Sequence, residues 1–342
     1  MNNTPSNKSI ALALQGGGSH GAFTWGVLDA LLEDGRIDIE GVSGTSAGGM
    51  NGAALMQGLV KGGKTQARKE LKHFWEGMHD TAALNPFHSS LFTGLTGTHN
   101  LGHSPFYQAM TLVRHTFSPY EFNPLNMNIL KDFIDEFFDF SMLRDMRKVK
   151  LFLCATHLET GKLKIFKGRD LSKKALLASA CLPFIFQAIE IKGQHYWDGG
   201  YIGNPAMFPL AYNCATRDIL VVQLTRGRRN KLPKTAEEIY NRHREITYNS
   251  SLVREMRVLN FISKLVDRGS VTDKSIKSMH IHVIRNREVF RDLDLSSAMN
   301  TDWGFLLHLF ETGRATAKDW LQSHFDDVGV RTTANLEEDF IE

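Results

Sequence analysis

A serine flanked by glycines lies at the centre of the stretch whose chemistry is easiest to interpret. Ser46 is the middle residue of the pentapeptide Gly44–Gly48, which reads GTSAG. An apolar segment with strand character, from Ile37 to Val42, leads into it, and small residues suited to a helix follow. In such a strand–turn–helix arrangement the serine hydroxyl lies at a helix N-terminus, where it can act as a nucleophile. The alternative is a glycine-rich helix start that only packs closely against the strand.

A second glycine cluster, from Gly16 to Gly21, follows an apolar segment at 9–14 and precedes helix-compatible residues. Its spacing satisfies G-x-G-x-x-G, the pattern of a dinucleotide-binding loop. That fold also needs an acidic residue at the end of the second strand, where this chain instead has Ser46. Consecutive glycines can alternatively direct backbone N–H groups at one point and form an oxyanion hole for acyl transfer. We favour the oxyanion loop because it accounts for both glycine clusters together.

A serine nucleophile needs a base, and the sequence offers two kinds. Asp198 ends a β-like segment and is followed by Gly199 and Gly200, which hold it on a tight turn. An aspartate can serve as the base if it is partly desolvated and hydrogen-bonded directly to the serine. The alternative for Asp198 is a turn residue that only bonds its own backbone. The histidines that follow Ser46, none of which the sequence singles out for a triad, include His157, His195, His280 and His282.

The segment 81–124 loses clear periodicity and is rich in small polar residues, with several prolines as breakers. We expect a long insertion that covers the active site, since loops of this length in compact domains commonly act as lids. The apolar residues expected to be exposed on it are Leu91, Phe92, Leu95 and Phe106. The histidines of this segment are His88, His99, His103 and His115. Their spacings fit no common metal-binding pattern, so we expect no metal site here.

The remaining elements alternate strands with helices. Apolar strands are expected at 149–155 and 219–224, a hairpin at 184–197, and a late strand at 280–284. The expected helices are 22–33, 62–80, 126–140, 171–180, 235–266 (continuous or broken at 249–251) and 305–324. This order predicts an α/β fold with a doubly wound, mainly parallel sheet.

Composition limits the classes of function. The 342 residues are 42% hydrophobic and 23% charged, as in globular proteins, and a net charge of +3 gives no case for nucleic-acid binding. Residues 226–257 hold nine Lys or Arg against four acids, which indicates a solvated helix face or a surface that attracts anionic lipid headgroups.

Cys154, Cys181 and Cys214 lack redox-motif spacing and are expected to be buried thiols. No apolar run suits a membrane span or a signal-peptide core, so we expect a cytoplasmic protein that contacts membranes only peripherally.

Four blocks of the chain together resemble the patatin-like phospholipase family. They are the glycine loop 16–21, the GTSAG turn, the segment 178–186 (ASACLPFIF), and Asp198-Gly199-Gly200 followed by Asn204-Pro205. The resemblance implies a three-layer α/β/α fold and a Ser-Asp dyad, with Ser46 as nucleophile and Asp198 as base. It implies no catalytic histidine, metal or other cofactor. The implied oxyanion-hole residues are Gly16, Gly17, Gly18 and Ala47, and the supporting residues are His20, Gly44, Gly48, Gly199 and Gly200.

The chain departs from the family pattern at His20, where the family usually has Arg or Lys. A cation there would anchor the loop or attract an anionic substrate, whereas a histidine is charged only part of the time near neutral pH. Residues 249–256 resemble a C-terminal extension of a bacterial subgroup, so we expect a catalytic domain at 8–225 and a helical extension at 226–342 packed on it. We expect phospholipase A-like or lysophospholipase-like hydrolysis of lipid esters. The alternatives are a catalytically weak lipid-binding or regulatory protein and a dinucleotide-dependent oxidoreductase.

Overall fold

A twisted sheet forms the centre of the computed structural model, which describes residues 7–83, 98–102, 104–227, 229, 231–273 and 275–341. The strands are β1 (Lys8–Leu14), β2 (Ile37–Gly44), β3 (Lys150–His157), β4 (Leu163–Lys167), β5 (Ile189–Ile191), β6 (Gln194–Asp198), β7 (Asp218–Val222) and β8 (His280–Ile284). They run in the order β5-β6-β3-β2-β1-β7-β8, and β4 also pairs with β3. The five neighbouring strands β3, β2, β1, β7 and β8 pair in parallel. The other pairs, β3 with β4, β3 with β6 and β5 with β6, are antiparallel. The predicted mainly parallel sheet is therefore confirmed.

Helices cover both faces of this sheet. They are α1 (Gly21–Asp34), α2 (Ala47–Ala83), α3 (Pro105–Thr116), α4 (Pro119–Phe122), α5 (Ile129–Phe137), α6 (Phe140–Asp145), α7 (Lys173–Ser179), α8 (Phe208–Asn213), α9 (Ala236–Asp267) and α10 (Trp303–His324). Residues of β1 alternate between two apolar clusters, because successive side chains of a strand point to opposite faces. Leu12 packs in the cluster formed with α1, α2 and α10, and Ala13 packs in the cluster formed with α8 and α9. The fold has the expected three layers, α/β/α.

Of the two alternatives for the long helix α9, the continuous one is observed, because Asn249 and Ser251 are buried and hydrogen-bonded across the fold and do not break it. Three other elements differ from their predictions. The helix expected at 126–140 ends at Phe137, and α6 starts separately after its N-cap residue Asp139. The hairpin strand expected from residue 184 begins only at Ile189. α2 continues across Gly62 and Gly63 with non-helical backbone at both residues, so the boundary expected at 62 is a break inside one element.

The segment 81–124 is only partly described. Its described residues include two helices, α3 and α4, in a stretch whose sequence has no clear periodicity. Phe106 in α3 is 39% exposed, as expected for the insertion. Leu91, Phe92 and Leu95 lie outside the described residues. The role of this segment as a lid remains a prediction.

His99 lies against the ring of Phe305 at 4.6 Å between centroids. His88, His103 and the side chain of His115 lie outside the described part of the chain. Among the residues that are described, no three His, Cys, Asp or Glu side chains are grouped as a metal site would require.

Two expectations from composition concern the core and the membrane. Cys154, Cys181 and Cys214 are free and buried, as predicted. None of the described helices combines the length and the apolar character needed to cross a bilayer.

Candidate active site

Ser46 lies in the turn between β2 and α2, one residue before the helix begins at Ala47. Its φ of 53° is in the left-handed region that a non-glycine residue rarely adopts. Side chains hold this turn through two hydrogen bonds: the Ser46 N–H donates to Ser179 Oγ over 3.0 Å, and Thr45 Oγ1 donates to Gly203 O over 2.6 Å. The predicted strand–turn–helix geometry is confirmed. Ser179 is a supporting residue that the sequence did not single out.

Glycines around Ser46 allow backbone segments to approach more closely than a side chain would permit. A Cβ at Gly48 would clash with Leu14 O of β1, and one at Gly44 would clash with the backbone of Gly48. A Cβ at Gly16 would lie 2.8 Å from Thr45 O. Any larger residue at these positions would therefore push the serine turn away from β1 and from the glycine loop.

Asp198 is the last residue of β6, and its side chain is completely buried. Oδ1 accepts a hydrogen bond from the Gly200 N–H over 2.6 Å, whereas Oδ2 accepts none from the described part of the chain. Burial raises the pKa of this carboxyl to about 7; the Gly200 N–H, the Ser46 hydroxyl and the Arg244 guanidinium act in the opposite direction. A carboxyl with a pKa near neutrality and one free oxygen beside a serine can accept the serine proton.

The two glycines after Asp198 permit close packing of its turn. A Cβ at Gly199 would clash with Cys154 O, and one at Gly200 would clash with the ring of Tyr248. Because Tyr248 belongs to α9, the C-terminal part of the chain contacts the turn that carries Asp198.

The glycine loop contributes fewer free N–H groups than expected. The Gly16 N–H donates to Asn204 Oδ1 over 2.7 Å, so it is not available to an oxyanion. This corrects the expectation that Gly16 is an oxyanion-hole residue: its N–H instead holds the loop against Asn204. The N–H groups of Gly17, Gly18 and Ala47 meet no acceptor within the described residues. Gly18 has a φ of 58°, which favours glycine.

A buried glutamine directly before the loop is a second supporting residue that sequence reasoning missed. Gln15 Oε1 accepts from the N–H groups of Leu224 and Thr225 over 2.9 and 3.0 Å. Its Nε2 donates to Asn204 O over 3.1 Å and to Asn249 Oδ1 over 3.3 Å. A polar residue at the end of a buried strand, next to a glycine run, was the only signal in the sequence.

His20 lies beside the glycine loop, and its Nε2 is 2.7 Å from Ser297 Oγ. Its ring lies against Phe290 and Phe305, at 5.5 and 6.3 Å between centroids. Burial and, to a lesser extent, Arg226 lower the pKa of His20 to about 4. The expectation of partial charge near neutral pH is therefore wrong, because a histidine with this pKa is neutral at pH 7. His20 can supply a hydrogen bond at the loop, but not a cation.

The histidines considered as alternative bases lie elsewhere. They are His157, His195, His280 and His282. The first two contact Glu159, with Nδ1 to carboxylate distances of 3.2 and 2.8 Å. The last two contact Asp218 at 3.3 and 3.0 Å. None of the four lines the cavity that contains Ser46.

Ser46 and Asp198 line one cavity of about 240 Å³ together with the glycine loop. Its walls are mostly apolar, and α3 contributes Tyr107, Thr111 and Arg114. The C-terminal part contributes a further set that the sequence did not assign to the site, including Arg226, Tyr240, Arg244, Tyr248, Phe290 and Met299. Arg244 and Tyr248, four residues apart, lie on the same face of α9, a spacing that could have indicated a shared role.

The family model that matches this chain is described as patatin-like phospholipase, and it covers residues 12–211. That is more than half of the 342 residues. The chain belongs to the patatin-like phospholipase family. All four sequence blocks on which the resemblance was based lie within or overlap the matched range.

Among solved structures, this patatin-like protein is similar to one described as "Crystal structure of VipD from Legionella pneumophila". The two share 14% sequence identity with a TM-score of 0.43, over 98% of this chain and 73% of that one. No curated protein matches the sequence. Membership of the family supports lipid acyl hydrolysis at the level of the family, and the residues of the dyad are a separate question.

Proposed function

We propose that this patatin-like protein hydrolyses carboxylic ester bonds of lipids, as a phospholipase A or a lysophospholipase does, through a dyad of Ser46 and Asp198. One observation carries the proposal. The buried Asp198 carboxyl has an unbonded Oδ2 and lines the same cavity as Ser46, whose backbone is strained. Strain of this kind is typical of a nucleophile on a strand-to-helix turn.

In the first half-reaction, Asp198 Oδ2 takes the hydroxyl proton while Ser46 Oγ attacks the ester carbonyl carbon. The carbonyl oxygen becomes an oxyanion, which the N–H groups of Gly17, Gly18 and Ala47 stabilise. Comparable donors contribute about 2.7–4 kcal/mol each to the transition state. The ester C–O bond then breaks, and the alcohol leaves with the proton from Asp198.

In the second half-reaction, a water molecule gives a proton to Asp198 and attacks the acyl-serine carbonyl. Collapse of this intermediate releases the fatty acid and returns a proton to Ser46 Oγ. Burial makes the carboxylate a stronger base than a solvated one, whose pKa is about 3.9. The raised pKa of Asp198 therefore accounts for a dyad that has no histidine.

The dyad is tested with Ser46→Ala and Asp198→Asn, and His195→Gln is the matched control for a histidine base. We expect each dyad variant to lose at least about 10³-fold in kcat on p-nitrophenyl acyl esters, because the two residues act as a unit. His195→Gln should retain wild-type activity. Circular dichroism checks that the variants are folded. Full activity in either dyad variant would contradict the proposal.

A catalytically weak lipid-binding or regulatory protein on the same scaffold is the second candidate. The neutral His20 favours it, because the loop cation usual in the family is missing. Co-sedimentation with liposomes, run beside the ester assay, separates the two candidates. Binding without turnover would support the second candidate, and turnover would contradict it.

A dinucleotide-dependent oxidoreductase is tested by titration with NAD(P), for which we expect no binding.

Peripheral contact between residues 226–257 and anionic membranes remains a prediction. The structure shows that some of these cations are bound within the protein. Arg229 and Arg242 form ion pairs with Glu245, and Arg226 donates to backbone carbonyls. Arg226, Arg229 and Arg242 are therefore held by groups of the protein itself.

A further inference from the structure

Arg244 lies in α9, outside the residues that match the family model, and lines the cavity of Ser46. One of its nitrogens donates to the Tyr248 hydroxyl over 3.0 Å, and the guanidinium lies 5.1 Å from the centroid of that ring. No carboxylate of the described residues forms an ion pair with it. A half-buried guanidinium without a counter-ion is costly, and most of its five donors remain free for an anionic ligand.

Arg114 reaches the same cavity from α3. Its donors go to Met110 O and Thr111 Oγ1 of its own helix, and it too has no carboxylate partner in the described chain. It lies over the ring of Tyr107, 5.4 Å from the centroid. Arg226 lines the same cavity but donates to the backbone carbonyls of Phe290 and Leu293. Arg244 and Arg114 are therefore the two guanidiniums of this wall that we consider for an anionic ligand.

Among the described residues, no acidic residue of the cavity forms an ion pair with Arg244 or Arg114. Glu245 is bound to Arg229 and Arg242, which do not line the cavity. Asp294 Oδ1 accepts hydrogen bonds from the Ser296 N–H and hydroxyl. The remaining acid is Asp198, whose charge is reduced near neutral pH because its pKa is about 7.

Arg244 lies beside the proposed dyad. The Tyr248 ring packs against Gly200, two residues after Asp198, and Arg244 is near enough to influence Asp198 electrostatically. A planar guanidinium binds two phosphate oxygens at once, which suits it to phosphate recognition. In a glycerophospholipid the phosphate is only a few covalent bonds from the ester carbonyls, so both groups can occupy one cavity.

We propose that Arg244, together with Arg114, binds the phosphate group of a phosphate-bearing lipid ester. Arg244 is then a specificity-determining residue supplied by the C-terminal helix. The consequence for catalysis rests on the proposed ester hydrolysis, whereas the phosphate site itself does not depend on it.

The test measures binding of decyl phosphate, decyl glucoside and inorganic phosphate below micellar concentrations, by calorimetry. Arg244→Gln is compared with wild type and with Arg254→Gln, which removes an exposed arginine of the same helix. We expect Arg244→Gln to weaken binding of decyl phosphate by about tenfold or more and to leave decyl glucoside unchanged. Arg254→Gln should change neither. Unchanged decyl phosphate affinity in Arg244→Gln would overturn the proposal, as would inorganic phosphate binding as tightly as decyl phosphate.

Ester hydrolysis measured at pH 9, where Asp198 is ionised, separates an effect of Arg244 on phosphate binding from an effect on the protonation of Asp198. We expect Arg244→Gln to lower kcat/KM by about tenfold on dihexanoylphosphatidylglycerol but not on dihexanoylglycerol, which lacks the phosphate. Equal losses on both would contradict a role in phosphate recognition. If wild type hydrolyses neither ester but binds decyl phosphate through Arg244, the hydrolase proposal fails while the phosphate site is upheld.

Discussion

Residues 12–211 and residues 224–341 line one cavity, but they differ in how their contributions are encoded. In the first region the chemistry lies on turns that glycines mark, with Ser46 after β2 and Asp198 before Gly199. In the second region Arg244 and Tyr248 lie inside a long helix, and no turn marks them. The difference shows that glycine-rich turns mark the proposed catalytic groups in the sequence. Other residues that line the same cavity lie in ordinary helical sequence and are not marked in this way.

A buried polar network connects the two regions. Gln15 of the first region donates to Asn249 of the second, and the Asn204 N–H donates to Ser251 Oγ over 3.0 Å. The same Asn204 accepts from the Gly16 N–H and so anchors the glycine loop. The position of the proposed oxyanion hole therefore depends on helix α9, far away in sequence.

Removal of the second region should have the largest effect. A chain that ends at Thr225 loses β8, which pairs with β7, and α10, whose Phe305 and Leu309 are fully buried. We expect an aggregated or unfolded product without esterase activity, because both apolar clusters become exposed. Size-exclusion chromatography and circular dichroism check this. A folded, active monomer would show that the two regions are independent.

The loss of activity at acid pH should reflect the pKa of Asp198, which burial raises. Because ionised Asp198 is the proposed base and its pKa is about 7, kcat/KM should reach half of its plateau near pH 7. At pH 6 it should be about tenfold below the plateau. Arg244 lowers this pKa, so Arg244→Gln should move the midpoint upward and link the second region to the base. A midpoint near pH 4 would mean that Asp198 is solvated or is not the base.

Loss of the network at Asn249 should destabilise the protein without removing a catalytic group. Its Oδ1 accepts from Gln15 and from Thr225, and its Nδ2 donates to Arg226 O. Asn249→Ala leaves Arg226 O without this donor, while Gln15 Nε2 and Thr225 Oγ1 each lose one of two acceptors. We expect a cost of about 1–3 kcal/mol in the free energy of unfolding.

The matched control for that substitution is Ser250→Ala. The Ser250 hydroxyl donates only to Thr247 O of its own helix, so we expect a change of at most about 0.5 kcal/mol. Urea unfolding compares the two variants. If the two variants had the same free energy of unfolding, the network at Asn249 would not stabilise the contact between the two regions.

The smallest expected effect is a gain in stability on neutralising Asp198. Its pKa is higher in the folded protein than in the unfolded chain, so its stabilising contribution is present below pH 4 and is lost as pH rises through 7. Asp198→Asn should therefore raise the melting temperature at pH 8, by roughly 2–4 °C, with a smaller gain at pH 5.

Asp218 provides a control of opposite sign. Although burial alone would raise its pKa, the hydrogen bonds from His282 and the Gly329 N–H bring about a net lowering. Its contribution is therefore present at pH 8 and lost in acid, and Asp218→Asn should lower the melting temperature at pH 8. Differential scanning calorimetry measures both variants. A stabilised Asp218→Asn protein would contradict the assigned charge states.

The sequence predicted the order of strands and helices well where hydrophobic periodicity was strong. The buried strands β1, β3 and β7 and helices α1 and α10 lie close to their predicted positions. It left alternatives open where long-range contacts decide. The polar residues at 249–251 made a break in α9 one of two alternatives, and their partners are Gln15, directly after β1, and Asn204.

The sequence by itself determined where a nucleophile and a carboxylate can lie on tight turns. Backbone crowding is local, and only glycine tolerates it at positions such as Gly44 and Gly48. Tertiary structure decided the rest, because desolvation and hydrogen-bond partners come from distant parts of the chain. It raised the pKa of Asp198, made His20 neutral, occupied the Gly16 N–H, and brought Arg244 to the wall of the cavity.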